Sequence, residues 1–229
     1  MTALEYSPAA ARGAEKTILG GLKTKMVDVV VTKNGVGPVL AISCRGTTGA
    51  FRNLTNRMEE TIGECTNLHI TYPALVFGYM FALRANHISD QTRLNLKSND
   101  IAVQMSEQGD ILTESILRFH FALAGLSGRT SIRNDYGKYE SVSLALVDMR
   151  EAREGTILDS LMPQNSALLM HHFFRALYRH YDERFVIAAP SLTPVTKRVE
   201  WSRKSPVFQG EPLEFKDPAY FWRRAAEAD

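Results

Sequence analysis

Cysteine is scarce. Cys44 and Cys65 are the only two in 229 residues. Two thiols build neither a disulfide framework nor a four-thiolate zinc site, so a reducing cytoplasm is the expected setting. Long apolar runs are missing too. No stretch approaches the ~18 residues of a membrane span, and no membrane association is expected. The first residues, MTALEYSPAAARGAEK, put no apolar block behind a basic cluster, which argues against a secretory signal. Charge of one sign is also lacking: 27 Lys and Arg stand against 25 Asp and Glu. That balance excludes a purely electrostatic coat for nucleic acid but leaves room for a local basic cleft. The first sixty residues do lean basic, with Arg12, Lys16, Lys23, Lys25, Lys33, Arg45, Arg52 and Arg57 against five acids. There is no internal repeat, no HExxH pair and no phosphate-binding glycine loop. Gly35-x-Gly37 opens no helix and reads as a turn. His171 and His172 point about 100° apart on a helix and make a poor chelate.

What is present is enough apolar residue, 45% of the chain, to bury a core without staples. One domain over 1–229 is the expectation. Residues 8–22 run from Pro and Ala to Gly20-Gly21, the pattern of a short helix with a glycine stop. Met26–Lys33 and Val39–Cys44 are β-runs, and Asn34-Gly35 between them signals a hairpin. Over 51–70, Phe51, Leu54, Met58, Ile62, Cys65 and Leu68 or His69 recur at helical spacing. Leu75–Leu83 and Ser141–Met149 read as strands buried on both faces. Residues 111–125 and 166–185 read as helices, 86–109 as a loop insert, and 190–229 as a tail that wraps the surface. This order predicts an α/β fold, a mixed β-sheet flanked by helices on both faces.

One constellation carries chemistry. The hairpin brings Asp28, at the start of one strand, beside Ser43 and Arg45 at the end of the next. Ser43 and Arg45 are two apart and share a face. Glu59 follows 14 residues after Arg45 on the next helix, with Arg52 and Asn56 along the same flank. Glu60 or Glu64 takes its place if the register slips. Two carboxylates around a cation can hold Mg²⁺ against a phosphate. Arg57 also has acids at helical spacing in Glu60 and Glu64. Arg129, Arg133 and Lys138 form a basic loop, and Lys197, Arg198, Arg203 and Lys204 surround Trp201.

The run Ser43-Cys44-Arg45-Gly46-Thr47, followed by Arg52, Arg57, Met58 and Glu59, resembles the PD-(D/E)XK nuclease superfamily. It is most similar to the type II restriction endonucleases of the CCGG-core branch, where Ser-x-Lys replaces acidic-x-Lys and a helix supplies the second carboxylate. The likeness covers residues 43–59 closely and 8–84 in outline. It departs in two places: Arg45 stands at the lysine position, and Val27 replaces the proline before the first acid. The resemblance implies a single restriction-endonuclease-like domain hydrolysing double-stranded DNA with Mg²⁺ held by Asp28 and Glu59. It implies catalytic roles for Asp28, Ser43, Arg45, Glu59 and Glu15, and DNA contacts from Arg52, Arg57, Asn56, Arg129 and Arg133. A homodimer and a companion DNA methyltransferase as a genetic partner go with that reading. Arginine keeps the charge of lysine but cannot be deprotonated. A DNA-binding or assembly module without cleavage is therefore the second reading, and a repair or tRNA-processing nuclease of the same superfamily the third.

Overall fold

The computed structural model describes residues 3–4, 16–33, 35–49, 51–133, 135–151, 153–188 and 200–201. Eleven strands and three longer helices are described. They are β1 (Ala3–Leu4), β2 (Lys16–Leu19), β3 (Thr24–Val27), β4 (Val29–Lys33), β5 (Gly37–Thr47), α1 (Leu54–Thr71), β6 (Val76–Arg84), β7 (Val103–Ser106), β8 (Gly109–Leu112), α2 (Glu114–Gly125), β9 (Ser141–Asp148), β10 (Thr156–Ile157), α3 (Met170–Asp182) and β11 (Glu200–Trp201).

The main sheet has five strands in the order β10-β9-β6-β5-β4. Its three central strands, β5, β6 and β9, run parallel, and both edge strands run antiparallel to their neighbours. Parallel neighbours need crossovers. α1 lies in the crossover from β5 to β6, and the β7–β8 hairpin with α2 lies in the one from β6 to β9. Alternation along β6 divides the core into two layers. Phe77, Tyr79, Phe81 and Leu83 face a cluster containing Cys65 and Leu68 of α1 and Ile116, Phe119 and Leu123 of α2. Val76 and Met80 face Phe173, Leu177 and Tyr181 of α3. Gly78 admits that helix closely, since a Cβ there would lie 2.7 Å from the Phe173 ring. The expected mixed sheet with helices on both faces is therefore present.

Several boundaries differ from the sequence reading. Of the helix expected over 8–22, residues 8–15 lie outside the described set, and Lys16–Leu19 is a strand paired with β3. The run expected over Met26–Lys33 breaks at Asp28, which separates β3 from β4. The loop expected over 86–109 holds two short 3-10 turns and most of the β7–β8 hairpin. That hairpin takes Ile111 and Leu112, so α2 starts at Glu114. The tail from 190 lies outside the described residues apart from β11, which pairs with β1. No described helix is long and apolar enough to cross a membrane.

Candidate active site

The β4–β5 hairpin sets the first three groups. Gly35 and Gly37 adopt φ of 76° and 94°, which a glycine-bearing turn permits. Val29 pairs with Ile42, so Asp28 comes opposite Ser43, next to Cys44. Asp28 Oδ2 accepts the Cys44 N–H at 2.7 Å and lies 3.5 Å from Arg45 Nη1. The backbone thus fixes the Asp28 carboxylate against the strand that carries Ser43 and Arg45. Burial, followed by the Asp28 charge, pushes the Cys44 thiol up, so it is no thiolate nucleophile here.

The helix carboxylate that meets this strand is Glu64. Its side chain is 2% exposed. Glu64 Oε1 accepts the Ser43 hydroxyl proton at 3.0 Å and lies 3.6 Å from Lys25 Nζ, while Oε2 lies 3.9 Å from Arg45 Nη2. Burial raises the Glu64 pKa from its ordinary value; Lys25, Arg45 and the Ser43 hydroxyl oppose the rise without cancelling it. Arg45 shows the reciprocal effect. Burial disfavours its charge, but Glu64 and Asp28 outweigh that and raise its pKa. Tyr79, opposite Ser43 on β6, closes the back of the site and is hydrogen-bonded to Thr61 at 3.2 Å. Burial pushes its phenol up to about 12, so it stays neutral.

Lys25 is held by construction. The side chain of Asn67, one turn beyond Glu64, grips the β2–β3 turn: its Oδ1 accepts Leu22 N–H at 2.8 Å and Lys23 N–H at 3.1 Å, and its Nδ2 donates to Lys23 O at 2.9 Å. Gly20 allows this approach, because a Cβ there would fall 2.1 Å from Asn67 Nδ2. Two hairpins and one helix face therefore bring Lys25, Asp28, Ser43, Arg45 and Glu64 together.

Other expected residues fall elsewhere. Glu59 is exposed, about 140° around α1 from Glu64, and has no contact described with Asp28, Ser43 or Arg45. The reason is a one-residue error in the inward face: Thr61 is buried and Ile62 is 41% exposed. Asn56 and Arg57 are exposed, and Arg57 pairs with Glu60 at 3.4 Å. Arg133 is exposed on its loop. Arg129, expected to contact DNA, is fully buried. Its Nη1 donates to Glu140 Oε1 at 2.9 Å and its Nη2 to Pro73 O at 3.0 Å, so it braces the core. Glu15, the Arg52 side chain and the tail bases Lys197, Arg198, Arg203 and Lys204 lie outside the described residues.

Lys25 and Tyr79 were missed. Strand parity would have found Lys25, two residues before Val27 on the face that carries the core. Parity also places Tyr79 with Phe77 and Phe81 on the α1 side. An open groove runs past the C-terminal ends of β5, β6 and β9, with Gly46, Thr47, Ala82 and Arg84 among its lining residues. Comparison with protein-family models, curated proteins and solved structures gives no match.

Proposed function

We propose that the chain is a metal-dependent endonuclease that hydrolyses phosphodiesters in double-stranded DNA, with a PD-(D/E)XK-like site built from Asp28, Ser43, Arg45 and Glu64. The observation that carries this reading is the bracketing of Arg45 by two carboxylates from different elements, 3.5 Å from Asp28 and 3.9 Å from Glu64. Glu64 replaces Glu59 as the helix carboxylate.

The donor set fits Mg²⁺, which takes one or two carboxylates and completes its shell with water and substrate oxygens. Asp28 and Glu64 are thus the residues that would hold the ion. When bound, the metal supplies an activated water and neutralises charge on the phosphate. The Cys44 N–H fixes Asp28, and Ser43 orients Glu64. Arg45 makes only loose contacts with both acids, donates from Nη1 to Cys44 O at 3.0 Å and is 28% exposed, so its guanidinium is anchored at the site's edge where it can meet a phosphate. Tyr79 stays neutral and packs behind. A palindromic target would bring two copies together about a two-fold axis.

The non-cleaving DNA-binding reading has its own support. Two cations, Lys25 and Arg45, already face the two acids, leaving the cluster formally neutral. Plasmid DNA incubated with the protein and Mg²⁺ separates the two. Discrete fragments, lost in Asp28→Asn, are expected of the nuclease. DNA binding without fragments under Mg²⁺ or Mn²⁺ would replace it with the second reading.

A further inference from the structure

Alternation along β6 sends Val76 and Met80 towards α3, and Ala82 and Arg84 continue that face. Among the described residues, α3 packs on it as far as Met80. The groove past the ends of β5, β6 and β9 begins beyond that point. It holds about 450 Å³, the scale of a ligand cleft. Its floor is small, because Gly46 and Ala82 are register partners. Its wall carries Arg84, half-buried beside its own register partner Val147. The Arg84 side chain has no hydrogen bond or ion pair among the described residues. Asp148, at the end of β9, does not compensate it, being buried and clasped by Arg150 at 2.7 Å. The groove therefore combines an apolar floor with an uncompensated cation.

We infer that this groove carries the sugar–phosphate backbone of bound DNA beyond the catalytic cluster, with Arg84 holding one phosphate. This rests on the DNA reading above. Arg84 stands three residues past Phe81, the register partner of Arg45, so the two arginines leave the sheet roughly 11 Å apart. That span is about three base steps of one strand at ~3.4 Å each. The two leave on opposite faces, Arg45 on that of Ser43 and Glu64. A nucleic-acid strand touching both must cross the C-terminal end of β5, where Gly46 presents no side chain. Gly46 is exposed and is not among the glycines with positive φ. A Cβ there would meet Ala82 O at 3.6 Å, an ordinary contact. Neither backbone strain nor crowding within the fold calls for glycine at 46, and an occupant of the groove does.

The test removes the charge and fills the space separately. Duplex affinity is measured in Ca²⁺ over a series of salt concentrations, together with melting temperature and molar mass. The proteins are wild type, Arg84→Ala, Arg84→Lys, Gly46→Leu, the Gly46→Leu/Arg84→Ala double variant and Arg118→Ala. Arg118, an exposed base paired with Glu114 on α2, controls for net charge alone. Arg84→Ala should weaken binding about 10-fold and lower the slope of log affinity against log salt by ~1, as one lost phosphate contact does. Arg84→Lys should restore the slope. Gly46→Leu should weaken binding by ~10-fold or more with no charge removed, and the double variant should lose less than the two single losses combined. Arg118→Ala should bind as wild type does. Wild-type affinity in Arg84→Ala or in Gly46→Leu would overturn the assignment, as would equal losses in Arg84→Ala and Arg118→Ala. A fall in melting temperature in both Arg84→Ala and Gly46→Leu would give the groove to another segment of this chain, and a changed molar mass would give it to a second copy; either overturns the assignment. In all these cases the nuclease reading survives. A wild type that binds the duplex but never cuts it in Mg²⁺ removes the nuclease reading and leaves the groove assignment standing. One that binds no duplex removes both.

Discussion

Two buried glutamates, Glu64 and Glu140, each face basic side chains, yet their carboxyls move in opposite directions. Glu140 precedes β9 at the N-terminal end of the parallel strands. Its Oε1 receives Arg184 Nη1 at 2.6 Å and Arg129 Nη1 at 2.9 Å, and its Oε2 receives Phe77 N–H at 2.7 Å with His69 at 3.6 Å. Burial works against its charge, but His69, Arg184 and the Phe77 N–H bring its pKa down to about 2. Glu64 has one hydrogen bond at 3.0 Å and two looser cations at 3.6 and 3.9 Å, and burial leaves its pKa raised. The difference is saturation. Short, direct donors compensate a buried charge; cations at a distance only reduce its cost. Glu140 is a closed clasp, and Glu64 keeps capacity for another cation.

The largest effect should come from opening the clasp. Removing one partner of a buried ion cluster strands the others, at a cost of about 3–5 kcal/mol. Arg129→Met and Glu140→Gln should each lower stability by that order in urea titrations, with no specific effect on DNA or metal. A loss below ~1 kcal/mol would place Glu140 in the same class as Glu64. Acid should act on the same group. Its folded pKa lies below the ordinary 4.5, so its contribution is complete above that pH and is lost as pH falls towards 2. The linked stability is on the order of 3 kcal/mol and should be absent from the acid titration of Glu140→Gln.

The next effect belongs to the open site. Asp28→Asn and Arg45→Ala should each slow DNA cleavage by at least ~10²-fold, since preorganised charge at a transferring phosphate is worth several kcal/mol. Arg45→Lys should retain most of the activity. Mn²⁺ binding, followed by calorimetry, should weaken in Asp28→Asn and Glu64→Gln and stay unchanged in Glu59→Gln. Weakening by Glu59→Gln alone would return the carboxylate role to Glu59.

The same contrast explains what the residues disclosed in advance. Apolar runs and the glycine-bearing turn located the β4–β5 hairpin, α1, β6 and β9, and the hairpin rule placed Asp28 against Arg45. Hydrophobic spacing failed where the inward face is polar. Thr61, Glu64, Asn67 and His69 are all buried on α1. A stripe drawn through apolar residues alone therefore rotated the helix towards Ile62, and the 14-residue spacing from Arg45, with the Arg-x-Glu likeness, chose Glu59 over Glu64. Arg129 failed for the same reason. A basic loop residue looks solvated until the acid that buries it, Glu140, 11 positions later, is known to pack there. The β2–β3 hairpin escaped because its strands are only four residues each and depend on Asn67 for their turn.

The smallest effect has the more telling sign. Glu64 has a folded pKa above its unfolded value, so it favours the fold fully below the unfolded pKa and loses that contribution as pH rises through the folded one. Where it is ionised, it is therefore a net burden on the fold. Glu64→Gln keeps an acceptor for the Ser43 hydroxyl and removes the charge. Lys25 and Arg45 are 19% and 28% exposed, so water can take over their solvation. The variant should be as stable as wild type at pH 7 or more stable, by no more than ~1 kcal/mol, with the gain shrinking as the pH falls towards 4. Urea titrations of both proteins at pH 7 and pH 4 measure the sign and the trend. A loss at pH 7 as large as that of Glu140→Gln would show Glu64 to be a second clasp, with no capacity left for a metal or a phosphate-bound cation.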